Sequence, residues 1–248
     1  MDGIHLSIHA QPSDTTCGPT CLQAVYDYYD DHVDLDTVIA ETPALDEGGT
    51  LAPMLGRHAI ERGYEALVYT FNLAVFDPTW FGSHGDSRVD LAEKLRLQNT
   101  IKKDARLQFA CDAYRNFVLA GGKVRMADLN RELLRRYLGR GIPILTGLSS
   151  TFLYRSAREY GADCESDDVR GHPVGHFVVL CGYDRIRKLV QVADPYLPNP
   201  VAPEENYYVI AVDRVLSAIL LGTLTYDANL LILSPGRKTR QRRADHTD

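Results

Sequence analysis

Cys17 stands in the stretch Gln11–Tyr29, QPSDTTCGPTCLQAVYDYY, where a polar loop gives way to helical spacing. Leu22, Val25, Tyr26 and Tyr29 recur at i, i+3, i+4 and i+7, the pattern of a helix with one buried face. Pro19 suits a first turn, where a missing backbone N–H costs nothing, and Asp14, Thr15 and Thr16 offer capping side chains. Cys17 is therefore expected where loop becomes helix. Unpaired N–H groups and the positive end of the helix dipole point there, and both favour a thiolate. A free thiol with a pKa of about 8.5 falls to roughly 3.5–7.5 in such a setting, above all beside an imidazolium.

A cysteine nucleophile needs a base, a group that orients the base, and donors for the oxyanion. His176 begins the apolar run GHFVVLCGYD, and a strand there would hold its imidazole rigidly. His172, four positions earlier, is the rival base, but Gly171–Pro173 reads as loop. Asp194, in VADPY, ends the next strand-like run, so a hairpin through DRIRK could bring it beside His176 to fix one tautomer. Gln11 lies in the loop feeding the Cys17 helix, and its amide could join the Cys17 backbone N–H in binding an oxyanion. Cys21 follows Cys17 by one helical turn, but Cys164, His172 and Cys181 offer no second tight pair for zinc. Cys21, Cys111 and Cys181 read as small core residues. This chemistry requires neither metal nor cofactor.

The elements that must position these groups follow in order. Ile4–Ala10 alternates as a short strand or extended arm, and the Cys17 helix is expected to end near Asp31. Helices are expected over Leu35–Glu41, and from a Thr50 cap, after a Gly48–Gly49 turn, to about Arg62. A strand follows over Tyr64–Phe71, and FNLAVFDPTWFG reads as an ordered aromatic loop. Asp86–Ala120 is helical in pattern, as is Met126–Leu138, so 76–141 reads as a helical insertion flanking the site. Strands are expected over Ile142–Gly147, Val174–Tyr183, Lys188–Ala193, Tyr207–Val212 and Asn229–Leu233. Phe152–Arg170 reads as a loop, and Asp213 as the cap of a helix to Leu221. Helices first and strands later indicate an α+β arrangement.

The chain has 248 residues, 45% of them hydrophobic, enough for one sizeable core. The formal charge of −6 and pI near 5.7 exclude a generally nucleic-acid-binding surface. Only 236–248 is locally basic, and it reads as a disordered tail behind a single domain over 1–235. The N-terminus shows no signal peptide, and no segment reaches the roughly 20 apolar residues of a membrane span. Five cysteines, an odd and scattered number, imply a reducing compartment, with the cytoplasm of a bacterium-like cell as the default.

QPSDTTCGPTCL, followed far downstream by GHFVVLCGYD and VADPY, resembles the bacteriocin-leader-processing ("double-glycine") peptidases and their free-standing bacterial relatives. The stretches NLAVFDPTWF and GLSSTFLYRSARE are similar to the free-standing subgroup. The resemblance implies a papain-like fold and thiol-mediated cleavage of a peptide or protein substrate. It assigns Cys17 as nucleophile, His176 as base, Asp194 as orienting acid and Gln11 as the oxyanion glutamine. The sequence carries no transporter span, and its helical stretch Asp86–Leu138 exceeds what the leader-processing domains would have. An acyltransferase or amidase with an amine acceptor remains open beside hydrolysis, as does a peptide-binding module without catalysis.

Overall fold

A computed structural model describes residues 2–44, 49–161 and 163–236. The basic tail beyond Gly236 and the Gly48 half of the expected turn lie outside the described residues. In chain order the elements are β1 (Asp2–Gly3), α1 (Cys17–Tyr28), α2 (Leu35–Glu41), α3 (Ala52–Glu61), β2 (Tyr64–Thr70), α4 (Leu91–Ile101) and α5 (Ala105–Leu119). Then come β3 (Lys123–Arg125), α6 (Arg131–Leu138), β4 (Ile144–Ser149), α7 (Ser150–Tyr154), β5 (Glu159–Tyr160), β6 (Glu165–Ser166) and β7 (Gly175–Asp184). Finally come β8 (Leu189–Ala193), β9 (Tyr207–Ala211), α8 (Val212–Leu221) and β10 (Asn229–Pro235).

The main sheet runs β3-β2-β10-β4-β7-β8-β9, with β1 added to β7, while β5 and β6 form a separate hairpin. Its ladders are antiparallel except β2 with β3. The C-terminal strand β10 is inserted between β2 and β4, so the two halves of the chain share one sheet. Both faces are covered, which explains why β7 is a nearly unbroken apolar run. Phe177, Val179 and Cys181 join Leu22, Leu55 and Phe117 from α1, α3 and α5. Val178 and Leu180 join Leu134, Leu153 and Ile219 from α6, α7 and α8 on the other face. The fold is α+β, with the helix that begins at Cys17 laid against β7 of a mainly antiparallel sheet.

Helix α1 is buried all round from Cys17 to Tyr26, not on one face alone. Two of its polar side chains bond one turn away: Thr20 Oγ1 donates to the Thr16 carbonyl at 2.8 Å and Gln23 Nε2 to Asp27 Oδ2 at 2.5 Å, while Gln23 Oε1 is buried without a partner among the described residues. Gly18 lets the first turn come close to the segment before α3, since a Cβ there would lie 2.5 Å from Thr50 Cγ2. Thr50 itself donates to the Pro43 carbonyl and does not cap α3, which starts after Leu51.

Other boundaries shift for local reasons. Ile4–Ala10 is an extended arm, tied by Ile4 N–H to the Cys181 carbonyl and by Ile8 N–H to the Tyr207 hydroxyl. The long helical pattern after Asp86 breaks at Asp104, whose Oδ1 accepts from Leu107 N and starts α5 afresh. The next helix begins at Arg131, not Met126, because Asn130 caps it through Leu133 N; the residues before it supply β3. The segment expected to be a loop over Phe152–Arg170 includes most of α7 and the β5–β6 hairpin. Asp213 lies inside α8 and pairs with Arg131 across to α6. Among the described residues, no helix is long and apolar enough to cross a membrane.

Candidate active site

Three elements converge on one buried point. Cys17 is the first residue of α1 and only 8% exposed. His176 is the second residue of β7, paired with Leu148 of β4. Asp194 follows β8 directly, and the β7–β8 register of Val179 with Ala193 places it near the same strand end. Its position is fixed by a reciprocal pair of hydrogen bonds with Asn206, backbone N–H to carbonyl one way and Nδ2 to carbonyl the other, each 2.7 Å.

The imidazole bridges the other two groups. His176 Nε2 lies 2.8 Å from Asp194 Oδ1, and Cys17 is near enough to act on the charge of the ring. With Nε2 committed to the carboxylate, Nδ1 is the nitrogen left for sulfur. Burial, the largest influence, opposes charge on the ring. The Asp194 field and hydrogen bond, joined by Cys17, outweigh it and push His176 up to about 10. At neutral pH the ring is an imidazolium, the partner a thiolate needs.

Asp194 is 0% exposed, so its charge must be neutralised and hydrogen-bonded. Oδ1 accepts from the Tyr196 N–H at 3.0 Å besides His176; Oδ2 accepts from the hydroxyls of Tyr154 and Tyr208, both at 2.8 Å. Burial pushes the carboxyl up, but the imidazolium charge and these hydrogen bonds hold it below the usual carboxylate range. Burial first, then the Asp194 charge, pushes both phenols up, so they remain donors. The rings of Tyr154 and Tyr196 also flank His176, with centroids 6.1 and 6.2 Å away.

Gln11 is tied to the same region by its backbone N–H, which donates to the Pro195 carbonyl at 2.8 Å. One N–H of its amide goes to the Ser13 carbonyl at 2.9 Å, leaving the second for another acceptor. The rival His172 is exposed and held in a bridge to Glu159, outside the Cys17–His176–Asp194 cluster. Cys21 is fully buried, and its thiol donates to the Phe177 carbonyl at 3.3 Å. Among the described residues, no group of three or more His, Cys, Asp and Glu side chains is placed to hold a metal ion. Grooves of about 520 Å³ beside His9, Asp27 and His32, and about 650 Å³ beside His84 and Arg125, include none of these residues.

Sequence reasoning missed the two tyrosines on Asp194. Tyr208 left a usable signal: alternation along β9 turns Tyr208 and Ile210 inward, and an inward tyrosine needs an acceptor. Tyr154 sits in a five-residue helix too short for periodicity to mark its direction.

The model of the Peptidase_C39 like family matches residues 4–209. No curated relative matches this sequence. Among solved structures, a C39-like peptidase from Bacillus anthracis is similar at 14% identity and a TM-score of 0.49, covering 96% of this chain and 100% of that one. Xylellain, a cysteine protease from Xylella fastidiosa, is similar at 14% identity and a TM-score of 0.46, over 94% and 84% of the two chains. The peptidase domain of Streptococcus ComA, a bi-functional ABC transporter, is similar at 12% identity and a TM-score of 0.44, over 93% and 99%.

Proposed function

Because the chain belongs to the Peptidase_C39 like family, and so is a cysteine-type peptidase, we propose that it hydrolyses a peptide bond through Cys17, His176 and Asp194, with Gln11 at the oxyanion. The observation that carries this reading is the hydrogen bond from His176 to a fully buried Asp194, with Cys17 near enough to act on the charge of the ring.

The Cys17 thiolate attacks the scissile carbonyl carbon, and the carbonyl electrons move onto oxygen. The Cys17 backbone N–H and the free amide N–H of Gln11 would receive that oxyanion, where one donor is worth about 3–4 kcal/mol of transition-state stabilisation. The C–N bond then breaks as His176 passes its proton to the departing amine, leaving a thioester on Cys17. His176, now neutral, takes a proton from water, whose hydroxide attacks the thioester; the acid product leaves and the thiolate is restored. Asp194 stays ionised and stabilises the imidazolium throughout. The match over 4–209 includes the helical stretch 76–141, which supports one catalytic domain. All five cysteines are free, which supports a reducing, cytoplasmic site of action.

The test is incubation with a mixed peptide library, with products and covalent adducts read by mass spectrometry. Cleaved peptides and an acyl mass on Cys17 are expected, both absent from Cys17→Ala and accumulating as adduct in a slow His176 variant. Cleavage that persists in Cys17→Ala would overturn the assignment. Amide exchange with an added amine in place of cleavage would turn the reading to acyl transfer.

A further inference from the structure

A second buried carboxyl group lies at the strand end that carries His176, and the steps above give it no part. Asp227 stands just before β10 and is 5% exposed. Its oxygens fill the space over two glycines, Gly147 on β4 and Gly175 on β7. A Cβ at Gly147 would lie 2.7 Å from Oδ1, and one at Gly175 would overlap Oδ2. Gly175 is covalently joined to His176, so this carboxyl is packed on the backbone that aims the imidazole.

Thr225 Oγ1 donates to Asp227 Oδ2 at 2.6 Å and lies 3.2 Å from the Gly222 carbonyl oxygen. A hydroxyl has one hydrogen, and the shorter contact takes it. The Gly222 carbonyl accepts the Asp227 backbone N–H at 2.9 Å, which closes the Gly222–Asp227 turn beneath the carboxyl.

We propose that Asp227 is a positioning residue for His176: as a neutral acid it fastens the Gly222–Asp227 turn against the start of β7, and as a carboxylate it adds a second negative charge near the imidazolium. This rests on His176 being the base that partners Cys17. Burial, the largest influence, raises the Asp227 carboxyl to about 7, while the Thr225 hydrogen bond and the His176 charge pull it down. The groups facing it are His176 from β7 and Tyr114 from α5, whose phenol feels its charge; Gly147 and Thr225 carry none. The exchange of one proton with solvent thus falls in the neutral range.

Infrared difference spectra of the full chain, taken across the neutral range, read the C=O stretch of a buried protonated acid. The wild type is expected to lose that band with a midpoint near pH 7, and Asp227→Asn to lack it. The rate of iodoacetamide attack on Cys17 should show an inflection at the same pH, absent from Asp227→Asn. A proton-detected titration of the His176 ring should have its midpoint at lower pH in the variant, because the imidazolium has lost a stabilising charge. Thr225→Val keeps the acid but removes its hydrogen bond, and should move the infrared midpoint upward; it decides the matter if Asp227→Asn does not fold. Identical Cys17 profiles in folded wild type and Asp227→Asn, or no titrating band in wild type and Thr225→Val, would overturn the proposal. These readouts need no peptide. A Cys17 inert at every pH would sink the peptidase reading instead, while a reactive Cys17 indifferent to Asp227 would sink only this one.

Discussion

The phenol of Tyr154 donates to Asp194 Oδ2 at 2.8 Å while its ring lies 6.1 Å from the ring of His176. With Tyr208 donating to the same oxygen, Oδ2 takes two neutral donors and Oδ1 is left to the imidazole and the Tyr196 N–H. A hydrogen bond to a charged group is worth about 1.5–3 kcal/mol. Tyr154→Phe and Tyr208→Phe should each lower kcat on the order of tenfold, with KM little changed, because they loosen the orienting acid and leave substrate contacts alone. Steady-state kinetics on a cleaved peptide would check this; a change confined to KM would place the tyrosines in substrate binding.

Asp194→Asn keeps the shape of the site and removes the charge that holds the imidazolium. The His176 value should drop from about 10, so the alkaline limb of kcat/KM for peptide cleavage, which needs the imidazolium as acid, should move to lower pH. A proton-detected titration of the His176 ring, beside the pH profile of cleavage, measures both. An unmoved alkaline limit would mean that Asp194 does not set the charge on the ring.

Stability should follow pH through the same groups, with signs that can be worked out. His176 is raised from an ordinary value of 6.5 to about 10, so its contribution is complete below about 6.5 and is lost as pH rises through about 10. Asp194 is lowered from 3.8, so its contribution is present above that value and is lost as pH falls below it. Asp227 is raised from 3.8 to about 7, so it favours folding fully only below 3.8 and progressively less up to about 7. Thermal melts across pH should therefore show Tm falling on the alkaline side, and Asp227→Asn should flatten the part between 3.8 and 7. A Tm that climbs steadily from acid to alkaline pH would contradict these assignments.

Gly18 has a packing role that a rescue experiment can isolate. A Cβ at Gly18 would press on Thr50 Cγ2 at 2.5 Å, and such overpacking costs about 1–3 kcal/mol. Thr50→Ser removes that methyl group and should restore most of the loss in the double variant. Denaturant melts of the four proteins give the coupling; simple additivity would show that the contact is not the cause.

The chemistry was easier to read in the sequence than the walls around it. Cys17, His176 and Asp194 sit at the ends of elements whose signals are local: a loop entering a helix, and two apolar strands joined by a short turn. The structure hydrogen-bonds His176 to Asp194 and sets Cys17 near enough to act on the charge of the ring. The break between α4 and α5 was hidden because apolar spacing continues across Asp104, although the cap itself is visible in the sequence. Strand β3 has three residues, too few for alternation, and its partner β2 lies far back in the chain. Asp227 was invisible for a similar reason, since its importance comes from two glycines on other strands.

The most direct test of the central claim is competition among the five cysteines for limiting iodoacetamide at about pH 6, mapped by mass spectrometry. Exposure alone favours Cys164, the exposed thiol, over the buried Cys17. Activation by His176 predicts the opposite order: Cys17 labels first, and His176→Ala abolishes its lead. Cys164 labelling ahead of Cys17, or a Cys17 rate untouched by His176→Ala, would contradict the account.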